Sequence, residues 1–212
     1  MSQVRPKTKH EVVCDFRRAA ILDSARRIFS RKGFAAALVD DIAEEAGIAK
    51  GTVYLYFRSK DEIYVAALVQ DVEALCALTT ERVQAAPDLR SKLRAFAAAR
   101  LEYVEANQEF FRIYISEFGS QLTRNKPFSK QFLDTYRQQH RLLQSAIETG
   151  IRKREIRRVP ADLAASAIYD LTRAVIKRRL LRWSQTSPEE DLKFLMEFVW
   201  RALQRAKPTG AL

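Results

Sequence analysis

The sequence predicts an all-α protein in which a small basic head of short helices precedes a larger body of long ones. Three observations carry that expectation. Apolar residues recur at helical spacing almost from end to end and nowhere alternate as in a strand. Six Gly and six Pro in 212 residues are too few for a turn-rich β fold. Charge is unevenly spread: residues 1–60 hold 12 Lys or Arg against 7 Asp or Glu, in a chain of net charge +11. Two cysteines, Cys14 and Cys76, cannot staple a fold and suit a reducing cytoplasm. No apolar run reaches the length of a membrane span and no signal-peptide core follows Met1, so no membrane partner is expected.

In chain order, residues 1–14 carry Arg5, Lys7, Lys9 and His10 without apolar periodicity and are expected to be a flexible basic arm. Ile21, Ala25, Ile28 and Phe29 then make one stripe of a helix that Gly33 stops. Val39, Ile42, Ala43 and Ala46 make a second, shorter stripe, with Asp40 and Asp41 at its positive end and Gly47 closing it. A third helix, roughly Ala49 to Phe57, turns Val53 and Phe57 inward. Ser59-Lys60-Asp61-Glu62 reads as a capping box opening a helix to about Gln84, with Leu68, Val72, Leu75 and Thr79 on one side. Pro87-Asp88 opens the next, striped by Leu93, Ala97, Leu101 and Val104. Phe110, Phe111, Tyr114, Ile115 and Phe118 crowd a shorter helix, and Phe132, Tyr136, Leu143 and Ile147 mark a long one ending at Gly150. Pro160 starts a helix carrying Leu163, Ala167, Leu171 and Ala174. Ser187-Pro188-Glu189-Glu190 starts the last. The result is nine helices in an arm (1–14), a head (15–60) and a body (61–212).

Within the head, a short helix, a Gly-containing turn and a second short helix make a helix-turn-helix, whose second member enters the major groove of DNA. Asp40 to Ala46 is the first member, Gly47-Ile48 the turn and Ala49 to Phe57 the reader. Val53 and Phe57 pin the reader inward and leave Lys50, Thr52, Tyr54 and Tyr56 outward. Gly51 removes a side chain where the helix start approaches the sugar-phosphate backbone. The hydroxyls suit phosphate and base edges, and Lys60 adds charge at the next helix start. The alternative is that both tyrosines are ordinary packing aromatics.

These residues carry a resemblance. Gly33-Phe34, Ile42-Ala43, Ala46-Gly47-Ile48, Lys50-Gly51-Thr52-Val53-Tyr54, Tyr56-Phe57 and Ser59-Lys60 are similar to the DNA-binding signature of TetR-family transcriptional regulators, over about residues 15–64. The resemblance implies a cytoplasmic homodimer on a palindromic double-stranded DNA operator, with a C-terminal domain that binds a small ligand and pairs through its last two helices. Carried over by position, Lys50, Gly51, Thr52, Tyr54, Tyr56 and Lys60 touch DNA. Where the family usually places Thr and then Ser or Thr, this chain has Ala37 and Leu38, and Ala49 stands where Ser usually caps the reader. No DNA contact is assigned to those three.

In the body, the last helix has a second apolar stripe, Phe194 and Phe198, beside Leu192, Leu195, Met196, Val199 and Leu203. A monomer's surface helix needs one buried face, so the extra one suggests a homodimer through the last two helices, or else a helix buried on all sides. The central aromatics serve as plain core or as walls of a site for a small apolar or amphipathic effector; Tyr103, Tyr114, Phe118 and Tyr136 are the candidate wall residues. No cofactor, metal site or catalytic residue is expected: the sequence has two His, no Gly-rich phosphate loop and no nucleophile–base pairing. The function expected is a dimeric repressor released by its effector; an activator or a non-specific architectural DNA-binding protein is the alternative.

Overall fold

The structure is a computed structural model that describes residues 8–115 and 126–205. Nine α-helices and no strand occur among them. They are α1 (Lys9–Ala36), α2 (Val39–Glu45), α3 (Lys50–Tyr56), α4 (Lys60–Ala85), α5 (Leu89–Ala106), α6 (Gln108–Ile113), α7 (Lys126–Arg152), α8 (Ala161–Leu180) and α9 (Pro188–Leu203). The expectations for residues 1–7 and for Phe118 lie outside the described residues, as do those for the side chains of His10 and Phe132. Packing divides the chain into Met1–Gln70 and Asp71–Leu212, with the division inside α4.

In the first unit, α1 begins at Lys9, so the stretch expected as an arm is helical over its second part. The reason is a capping box: Thr8 Oγ1 accepts from the Glu11 amide at 3.2 Å, and the Glu11 carboxylate accepts from the Thr8 amide at 2.6 Å. The helical run breaks at Gly33, whose φ of 74° and ψ of 169° suit glycine almost alone. Ile21, Ile28, Phe29, Ile42, Val53, Phe57, Ile63 and Tyr64 are all buried at 1% exposure or less and form the core. Phe29, Phe34 and Tyr64 meet pairwise with centroids 5.5–5.7 Å apart. An open hollow of about 410 Å³ lies beside this core, lined by Val12, Val13, Phe16, Ala46 and Ile48 among others.

In the second unit, α7 packs along α8, and α5 packs along both α9 and α7. Asp88 caps α5 by accepting from the Ser91 amide at 2.8 Å, and Ser187 caps α9 through a reciprocal box with Glu190. Leu192, Leu195, Met196, Val199 and Leu203 are the buried face of α9, as their spacing predicts. On α8 the expected stripe is corrected: Leu163, Ala167 and Ala174 are exposed and Leu171 is half-buried. The buried side is Ala165, Ile168, Tyr169, Thr172, Val175, Ile176 and Leu180. Both sides are apolar, and periodicity alone does not choose between them. The membrane expectation also needs correction, because α4 contains a stretch long and apolar enough to cross a membrane, with mean hydropathy 1.4. Half of that stretch is buried in the protein, as expected of a core helix.

Candidate nucleic-acid interface

The turn between α2 and α3 is built on Gly47, at a φ of 66° that a side chain would strain. Its amide donates to the Glu44 carbonyl and the Ile48 amide to the Ala43 carbonyl, each at 3.0 Å, which closes the end of α2. Neither helix has a side-chain cap from its N-cap residue, Leu38 or Ala49. For α2 the deficit is met otherwise. The Asp41 carboxylate accepts from the Leu38 amide at 3.0 Å and pairs with Lys32 at 2.8 Å. The Lys32 hydrogen bond, then the Leu38 amide, hold the Asp41 carboxyl below its ordinary range. Glu45 pairs with Arg27 at 2.8 Å and Arg31 at 3.5 Å, and Arg27 chiefly holds its carboxyl low. These ion pairs fix α2 against α1.

Val53 and Phe57 anchor α3, at 0% and 1% exposure, with the Arg18 guanidinium 5.2 Å from the Phe57 ring centroid. Burial of each contributes about 1.5–3 kcal/mol. What faces outward follows helical spacing from Gly51: Tyr54, Leu55 and, just past the helix, Arg58, with Lys50 beside them. Tyr54 is 48% exposed and Leu55 83%. Thr52 and Tyr56 are half-buried at the edges of this face. Leu55 and Arg58 carry no hydroxyl to mark them, yet they lie four and seven residues on from Gly51, at the helical spacing of this face. A Cβ on Gly51 would meet nothing within 4 Å, so the protein's own packing does not demand glycine there.

The two lysines differ. Lys50 Nζ lies 2.9 Å from Asp40 Oδ1, both side chains exposed, and Asp40 pushes the ammonium's pKa up, so Lys50 stays charged on the open face. Lys60 is turned into the head instead. Its Nζ donates to the carbonyls of Phe34 at 2.7 Å, Ala35 at 3.3 Å and Ala37 at 2.9 Å, and lies 4.6 Å from the Phe34 ring centroid. It thereby satisfies carbonyls that the end of α1 leaves open. Beside it, Ser59 Oγ accepts from the Glu62 amide at 3.1 Å, whereas the Glu62 carboxylate takes the Arg58 amide at 2.7 Å, one residue earlier than a capping box requires.

Of the candidate effector residues, Tyr103, Tyr114 and Tyr136 are among the described residues, each on or at the end of a different helix. Tyr103, on α5, is half-buried and donates to Asp71 Oδ1 at 2.8 Å. Tyr136, on α7, packs edge-on against Tyr169 with centroids 4.8 Å apart. Tyr114 is half-buried at the end of α6. Among the described residues no group of three His, Cys, Asp or Glu is placed to hold a metal ion.

A three-helix head that presents α3 in this way defines a helix-turn-helix DNA-binding protein. Residues 21–67 match the model for bacterial regulatory proteins of the tetR family. The transcriptional activator FasR of Mycolicibacterium smegmatis is 33% identical over 99 residues, which span 47% of this chain and 45% of that protein, less than half its length. The transcriptional repressor KstR2 of Rhodococcus jostii is 29% identical over 156 residues, 73% of this chain and 75% of that protein. Among solved structures, a transcriptional regulator from Saccharomonospora viridis in complex with choline shares the fold with a TM-score of 0.78 at 21% identity, covering 91% of this chain and 100% of that one. The family match over the head and these relatives together support a TetR-family transcriptional regulator.

Proposed function

We propose that this regulator is a cytoplasmic homodimeric repressor. Each subunit places α3 in the major groove of one half of a palindromic operator, and a small apolar or amphipathic effector bound in the body releases it. The observation that carries this reading is the division of α3 into a buried anchor, Val53 and Phe57, and an open face of Lys50, Gly51, Tyr54 and Leu55. Lys50 contacts phosphate, and Gly51 admits the backbone closely. Thr52, Tyr54 and Tyr56 offer hydroxyls to phosphate and base edges, and Leu55 offers an apolar contact for a thymine methyl. Arg58 joins the phosphate contacts, while Lys60 keeps its three carbonyls.

Two reader helices fit successive major grooves when held about 34–36 Å apart, which requires a second copy. The outward apolar stripe of α8 and the exposed, stacked Phe194 and Phe198 of α9 supply the material for an intermolecular four-helix bundle. Tyr103, Tyr114, Phe118 and Tyr136 are the proposed effector walls, and the choline complex of a protein with this fold supports a small-molecule site. An effector that prefers a state unable to bind DNA shifts the population away from the operator, and by linkage DNA weakens the effector equally. Activation is the second reading, favoured by the activator FasR among the relatives.

Selection from a random duplex pool tests the proposal. It should enrich a palindrome bound about 10³-fold or more tighter than random DNA at fixed salt. No enrichment would leave an architectural protein. Placing the enriched site upstream of a reporter then decides the sign. Sedimentation at micromolar concentration should show a dimer, and a monomer would contradict the palindrome.

A further inference from the structure

The interior of the body keeps polar capacity that its own packing does not use. Arg100, on α5, is 7% exposed. Its Nη2 donates to the Tyr169 hydroxyl at 3.3 Å, and its guanidinium lies 4.7 Å from the Tyr169 ring centroid and 5.2 Å from that of Phe96. Nε and Nη1 are buried with no hydrogen-bond partner among the described residues, and no carboxylate among them pairs with this guanidinium. The adjacent thiol offers no counter-charge, because burial, outweighing the pull of Arg100, pushes the Cys76 thiol up and keeps it neutral. A second buried atom is also left over. Gln139, fully buried on α7, donates through Nε2 to the Cys76 carbonyl and the Thr80 hydroxyl, each at 3.2 Å, while its Oε1 has no partner. An unpaired buried cation is costly, and a chain that needed only packing would have an apolar residue there.

We propose that Arg100 is the anion-binding anchor of the effector site, taking the carboxylate of a small amphipathic acid whose apolar part packs among Phe96, Tyr136 and Tyr169. A guanidinium bound to carboxylate forms charge-assisted hydrogen bonds, and the cation already stacked on two rings is oriented for it. The inference rests on the effector reading above and narrows it to acids.

The test uses the full chain and two matched pairs of probes, 4-phenylbutyrate with 4-phenylbutanol and decanoate with decanol, in thermal melts below micellar concentrations. Acids should stabilise the wild type more than their alcohols do. Arg100→Met should cut acid affinity by about tenfold or more and leave alcohol binding little changed. Without ligand, Arg100→Met should melt about 2–4 °C higher, since an uncompensated buried charge has been removed. A lower melting point makes Arg100 a structural cation and overturns the assignment. So does acid binding that survives the substitution, or the absence of stabilisation by all four probes. Alcohols that bind as tightly as acids overturn the anion site but leave an effector-binding body standing. That broader reading fails separately, if no compound in a metabolite panel changes operator affinity.

Discussion

Head and body settle their polar and apolar groups in opposite ways. In the head the polar groups are matched locally: Lys60 serves three carbonyls, Asp41 serves the Leu38 amide and Lys32, and Glu45 serves Arg27 and Arg31. What it leaves on the open face of α3 is a lysine, a tyrosine and a leucine around a bare glycine. The body leaves apolar side chains outside, with Leu163 65%, Phe194 57% and Phe198 57% exposed, and unmatched polar atoms inside, on Arg100 and Gln139. A surface of the first kind suits a polyanion. Surfaces and interiors of the second kind suit a second copy and a ligand. The contrast shows that the meaning of a charge depends on what its neighbours already satisfy.

The sharpest way to break the head is at its anchor. Phe57→Ala should cost about 3–5 kcal/mol in denaturant unfolding, as a buried ring leaves a cavity, and should abolish operator binding. Gly33→Ala comes next, at about 1–3 kcal/mol, because alanine must adopt a backbone region nearly reserved for glycine; an unchanged midpoint would show that α1 tolerates another path at this break. Gly51→Ala separates folding from reading. In free solution it should leave stability unchanged or raise it by about 0.5–1 kcal/mol, since the added methyl meets nothing, while operator affinity falls. Equal affinity of Gly51→Ala and wild type in a gel shift would move the DNA backbone away from this position. The smallest effect is acid sensitivity. Asp41 and Glu45 have folded-state pKa values below their unfolded ones, so they stabilise the head above the unfolded values, and this is lost as pH falls through the folded values, below about pH 4. Urea unfolding from neutral to acid pH should show Asp41→Asn with a shallower decline than wild type.

The helix-turn-helix was legible in the sequence because its determinants are local: a glycine turn, two inward apolar residues one turn apart, and a helix start soon after. The all-α architecture was legible for the same reason, since periodicity and caps such as Asp88 and Ser187 act within a few residues. What escaped depends on distant partners. Lys60 looked like a surface cation because the carbonyls that hold it lie 23–26 residues earlier in the chain. The buried side of α8 could not be chosen because both of its sides are apolar. Arg100 is one of 37 Lys and Arg, and its distinction is burial without a counter-charge, which only tertiary structure reveals.

The most direct test is to titrate wild type and Tyr54→Ala against the enriched palindrome and a scrambled duplex at one salt concentration. Tyr54→Ala should lose about 1–3 kcal/mol on the palindrome, little on the scrambled duplex and no helicity. Indistinguishable affinities of the two proteins for the palindrome would show that DNA is read somewhere other than the open face of α3.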